Sequence, residues 1–188
     1  EFEGRFEEAD RHYADALALE PTYEPSRLRR AWVLLVRAFL QAIRPAALDG
    51  GVTYTRRLHR SGGARSFLEE ARPLVTGPEE SSREGIAPQL ERDLTLAFLA
   101  LQSGDSRAAD SILTQAQMEY VGHPDRHLLL WLRSLDDASS LAERDRVLRE
   151  AYEIDPRDPL VQLTLAYRHW RAKEPESARV LLDRLAFR

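Results

Sequence analysis

Apolar residues return at three- and four-residue steps along most of the chain, the spacing that gathers them on one face of a helix. Phe6, Ala9, Tyr13, Ala16 and Leu17 form the first stripe, which Pro21 ends. Leu28, Trp32, Leu35, Val36 and Phe39 form the second, on a helix predicted over 25–43 with Arg27, Arg30 and Arg37 on its wet side. Leu94, Ala97, Phe98 and Leu101 mark a helix over 87–101. Shorter stripes follow at Ala109 and Leu113, at Leu128, Trp131, Leu132 and Leu135, at Leu148 and Ala151, at Leu165, Ala166 and His169, and at Ala178 and Leu182. The two-residue alternation of a half-buried strand is absent from the pattern, so the expected fold class is all-α. Between 46 and 89 the rhythm fails. A short helix near 53–59, a break at Ser61-Gly62-Gly63, a helix over 64–72 stopped by Pro73 and a polar loop from Gly77 to Gly85 are expected there.

The later stripes repeat. Gly104, Ser139 and Lys173 stand at matching points before a helix, 35 and then 34 residues apart. Self-similarity at that period predicts an α-solenoid of antiparallel helix pairs, each touching only its neighbours. The expected division is a partial repeat plus a degenerate helical segment over 1–89, then three regular repeats over 90–188, in one solenoid domain.

Gly4, Phe6, Ala9, Tyr13, Ala16, Leu17 and Pro21 fill seven fixed slots in eighteen residues. This pattern resembles the second helix of a tetratricopeptide repeat. The first helix of that repeat does not precede it, so the chain reads as starting inside a repeat. Leu96 and Ala97 fill the paired leucine and small-residue slots of a later unit, and Pro156 the terminal proline slot. Pro124 sits late for that slot. Arg144 stands where the family has a small alanine, which predicts a looser contact in that unit. The resemblance implies a right-handed superhelix whose first helices line a concave, protein-binding surface. Carried over slot by slot, the groove would comprise Leu94, Phe98 and Leu101, then Arg126, Leu129 and Arg133, then Leu163, Tyr167 and Trp170, with Glu91 and Leu160 beside them. The lysine, asparagine and arginine clamp with which the family holds a terminal carboxylate is missing. The competing reading of Phe98, Tyr167 and Trp170 is burial against neighbouring helices.

Composition narrows the function. Hydrophobic residues are 43% and charged residues 31%, a globular balance, and the net charge of −4 carries no nucleic-acid or membrane footprint. Lys173 is the only lysine, an arginine usage that fits a GC-rich, bacterial coding bias. With no cysteine, disulfides and thiolate metal sites are excluded while the compartment stays open, the cytoplasm being favoured. The longest apolar run, Ala31 to Ile43, is broken by Arg37. His123 and His127 stand four apart but flank Pro124, which reads as a turn and a helix start rather than a metal pair. Arg56 to Gly63 is basic and glycine-ended without the spacing of a phosphate loop. Ser106, Ser111, Asp110 and His169 do not assemble a nucleophile, base and orienter. The expected function is therefore a cofactor-free interaction module, not an enzyme, that binds a protein or peptide segment on an apolar groove rimmed by Arg126 and Arg133. The alternative is a regulatory or sensor domain of a larger multidomain protein. The last helix carries Val180, Leu181, Leu182, Leu185 and Phe187, which predicts a sticky C-terminal edge able to self-associate.

Overall fold

The computed structural model describes residues 2–43, 62–75 and 86–186. Among these every regular element is helical. They are α1 (Phe2–Leu19), α2 (Glu24–Ile43), α3 (Gly62–Val75), α4 (Ile86–Gln102), α5 (Ser106–Glu119), α6 (Arg126–Ser134), α7 (Leu141–Ile154), α8 (Pro159–Arg171) and α9 (Pro175–Ala186). None of the described helices is long and apolar enough to cross a membrane. The short helix expected near 53–59, the loop over 77–85 and the basic run from Arg56 to Ser61 lie outside the described residues.

The helices pack as successive pairs: α2 with α3, α4 with α5, α6 with α7, and α8 with α9, while α1 lies on α2. Between pairs, α2 touches α4, α4 touches α6 and α6 touches α8. The second helix of each pair also meets the first helix of the next.

Two of the connecting turns share one backbone design. Gly104 and Lys173 both adopt a left-handed conformation, at φ 79° and 63°. After α4, Gly104 N–H donates to Leu101 O (3.1 Å) and Asp105 N–H to Ala100 O (2.9 Å). After α8, Lys173 N–H donates to Trp170 O (3.1 Å) and Glu174 N–H to His169 O (2.9 Å). This pair of bonds satisfies the last carbonyls of a helix and needs a positive φ at one residue. Glycine meets that need without a Cβ clash, whereas Lys173 carries the strain. The next helices start on side-chain caps. Asp105 accepts from Ala108 N–H (3.0 Å), Ser140 from Glu143 N–H (3.2 Å) and Asp158 from Val161 N–H (2.8 Å). Proline opens α8, where its missing N–H costs nothing.

The core runs through all four pairs. Its centre is an aromatic group donated by the first helices. Trp131 of α6 lies 5.4 Å from Phe39 and 5.2 Å from Phe98, and Trp32 lies 5.4 Å from Phe98. Trp131 is fully buried, so its indole N–H needs a partner, and it donates to Thr164 Oγ1 of α8 at 2.8 Å. The small residues Ala109 and Ala178 are also buried, which brings α5 onto α4 and α9 onto α8. At the matching position of α7, Arg144 turns its guanidinium to Asp137 (2.8 Å) and leaves the interface to Val147, Leu148 and Ala151.

Three sequence expectations need correction. Arg27, Arg30 and Arg37 are not a wet face. Arg27 is buried, and Asp10 of α1 receives Arg30 at 2.9 Å and Arg37 at 3.1 Å, so these arginines clamp α1 to α2. Arg37 also lies over the ring of Phe67 in α3, 4.4 Å from its centroid. Pro73 does not stop α3, which runs on to Val75 because Leu74 and Val75 still pack on the core. Leu182 does not share the buried stripe of Ala178 and is 45% exposed. Ala178 and Leu181 are buried, whereas Val180 and Leu182 fall about 200° apart around the helix and flank that stripe. Glu176, Arg179 and Asp183 make the outer side polar. Phe187 lies outside the described residues.

Candidate protein-interaction face

The nine residues carried over as a groove divide by burial. Leu94, Phe98, Leu101 and Leu129 are core: Phe98 and Leu129 are 0% exposed and the other two nearly so. They lie under the contacts of α2, α4 and α6, where a partner could reach them only by prising the helices apart. The cause is the aromatic group, which closes these first helices over one another. Leu163, Tyr167 and Trp170 stay at the surface of α8. The first two are half-buried, and Trp170 is 52% exposed. Their spacing of four and three residues puts them on one stripe. Trp32, half-buried on α2, belongs with the aromatic group and was absent from the carried-over set.

Arg126 and Arg133 are not an open rim. Arg126 donates to Glu150 of α7 at 3.2 Å. Arg133 donates to Gln117 (2.8 Å) and lies 3.5 Å from Asp110, both on α5. The Asp110–Arg133 contact recurs one unit later. Asp145 of α7 receives Arg168 of α8, and each member stands 35 residues after its counterpart. Arg168 also donates to Ser134 O (2.6 Å), which ties α8 to α6. Burial pulls the pKa of Arg168 down against the support of Asp145, while the nearby Arg144 adds repulsion. The signal for this ladder was present in the sequence as an acid and an arginine that both advance with the repeat.

Two further polar contacts fix the pairs. Tyr120 at the end of α5 donates to Asp93 of α4 at 3.1 Å. Burial raises the pKa of Asp93 although that hydrogen bond opposes the rise, and burial with the adjacent carboxylate pushes the Tyr120 phenol strongly up. His127 is buried in the first turn of α6. Its Nδ1 donates to Pro124 O (3.0 Å), and its Nε2 lies 3.4 Å from Asp158 and 3.9 Å from Asp155. Burial disfavours the imidazolium, but Asp158, the Pro124 carbonyl and Asp155 together outweigh it and raise the pKa. His123 accepts from Asp125 N–H (3.2 Å) in the preceding turn. The two histidines thus serve a turn and a helix start. Among the described residues no group of three or more histidine, aspartate or glutamate side chains is placed to hold a metal.

Neither a protein-family model, nor a curated protein, nor a solved structure matches the chain.

Proposed function

We propose that this chain is a protein-interaction module built as a tetratricopeptide-like, right-handed stack of helix pairs, which holds a partner segment against α8. Several features support the architecture. The pairs advance by 34–35 residues, two turns share one left-handed design, and the Asp110–Arg133 contact returns as Asp145–Arg168. The observation that carries the function is the Leu163, Tyr167 and Trp170 stripe. A tryptophan more than half exposed beside a half-buried tyrosine and leucine has the composition of an interface anchor. Phe98 and Leu129 serve stability on this reading, and the partner's apolar anchors meet α8 instead. Capture from the source cell with the wild-type chain and with Trp170→Ala, read by mass spectrometry, tests the proposal. The partner should be recovered by the wild type and lost, or depleted at least about tenfold, with the variant. Equal recovery by both chains, with melting unchanged, would remove the stripe from the mechanism.

A further inference from the structure

Three polar ties join α6 to α8, at residues 127, 131 and 134 of α6. In the first turn of α6, His127 Nε2 lies 3.4 Å from Oδ2 of Asp158, the residue that caps α8. In the middle, Trp131 donates to Thr164 Oγ1 at 2.8 Å. At the far end, Arg168 donates to Ser134 O at 2.6 Å. Indole, hydroxyl and guanidinium groups keep their charge state near neutral pH, so the His127 tie is the one of these three that titrates there.

The surroundings of His127 decide which form fits. The residue is 5% exposed, so water does not supply a missing partner. Nδ1 faces Pro124 O at 3.0 Å, and Nε2 faces the Asp158 and Asp155 carboxylates at 3.4 and 3.9 Å. Both nitrogens therefore meet acceptors. A neutral imidazole has one N–H and turns a lone pair toward one side, whereas the imidazolium donates to both. With the N–H on Nδ1, where the Pro124 carbonyl holds it, the lone pair falls on the carboxylate side. The other carboxylate oxygens are already engaged: Asp155 Oδ1 accepts from Arg157 N–H and Asp158 Oδ1 from Val161 N–H, each at 2.8 Å. The remaining charges nearby have partners of their own. Arg126, next to His127 on α6, donates to Glu150 of α7, and His123 accepts from Asp125 N–H. At the end of α5, Tyr120 and Glu119 act on Asp93.

We infer that His127 is a protonation latch between two successive helix pairs: charged, it holds the α7–α8 turn and the first turn of α8 against α6, and neutral, it releases that end of the joint while the Trp131–Thr164 and Arg168–Ser134 ties keep the other end closed. The residues 35 before and after His127 are Arg92 and Gln162, neither of which changes charge near neutral pH, so the latch belongs to this joint. It is closed below the unfolded histidine value of about 6.5 and opens as pH climbs through the raised folded value. The inference stands without a partner on α8.

Two measurements on the intact chain test it. Nuclear magnetic resonance titration of the imidazole signals, assigned by the signal lost in His127→Gln, gives the pKa of His127. Amide hydrogen exchange at about pH 5.5 and about pH 8, corrected for the intrinsic pH dependence of exchange, gives protection segment by segment. Protection over residues 155–163 should fall at the higher pH, by about tenfold for each unit by which the pKa of His127 exceeds about 6.5, while residues 129–134 and 164–168 change by less than about threefold. His127→Gln should abolish the pH-dependent loss. Asp158→Asn, which keeps a side chain able to cap α8, should lower the pKa of His127 and shrink the loss. A His127 pKa at or below about 6.5, a loss of protection spread evenly over all segments, or a loss unchanged in either variant would overturn the inference.

Discussion

Phe98→Ala measures the division between core and surface. Phe98 is fully buried between Trp32 and Trp131, with ring centroids 5.4 and 5.2 Å away. Truncating a buried phenylalanine costs about 3–5 kcal/mol, from lost transfer energy and the cavity left behind. Its tilted and edge-on neighbours place the expected value toward the upper end, since an aromatic pair adds about 0.5–1.5 kcal/mol beyond its buried area. Against a total stability of about 5–15 kcal/mol for a domain, that loss brings the chain close to unfolding at 37 °C. Tyr167→Ala, on a half-buried side chain, should cost about 1–2 kcal/mol. Urea unfolding followed by far-ultraviolet circular dichroism gives both midpoints, and Trp32 and Trp131 report the same transition by fluorescence. A loss below about 1 kcal/mol for Phe98→Ala, smaller than that for Tyr167→Ala, would refute the assignment of Phe98 to the core.

The left-handed turns make a paired prediction. Gly104→Ala should lower stability by about 1 kcal/mol, and Lys173→Gly should raise it by about 0.5–1 kcal/mol, both read from denaturation midpoints. Ala109→Leu and Ala178→Leu, at buried positions in two helix pairs, should each cost about 1–3 kcal/mol by overpacking, and unchanged melting in both would contradict the register. His127 should make stability fall as pH rises. Its pKa is raised on folding, so its contribution is complete below the unfolded value near 6.5 and is lost as pH climbs through the higher folded value. His127→Gln should flatten that part of the pH–stability curve, and a wild-type curve already flat from pH 6 upward would count against the Asp158 contact.

The helices were legible because burial of one face leaves a 3.6-residue rhythm, whereas the capping side chains Asp105, Ser140 and Asp158 that start α5, α7 and α8 went unread. What covers a face leaves no such mark. Phe98 and Trp170 both sit on apolar first-helix stripes, yet one is sealed by Trp32 and Trp131 and the other faces water. Periodicity carries no information about neighbours supplied from 66 and 33 residues away. The same limit misplaced Arg30 and Arg37, whose shared partner Asp10 belongs to a different helix. Arg126 and Arg133 looked like a free rim because local spacing does not reveal Glu150 or Gln117. Pro73 was read from its missing N–H alone, whereas the packing of Leu74 and Val75 carries α3 past it.

The central claim is that a partner segment is held on α8, and amide hydrogen exchange of the chain with and without its captured partner tests it most directly. The account predicts added protection in α8 around Leu163 to Trp170, with the buried segments around Phe98 and Leu129 changed little because they are already closed. Protection confined to α1 or α3, or opening of the segments around Phe98 and Leu129 on binding, would contradict it.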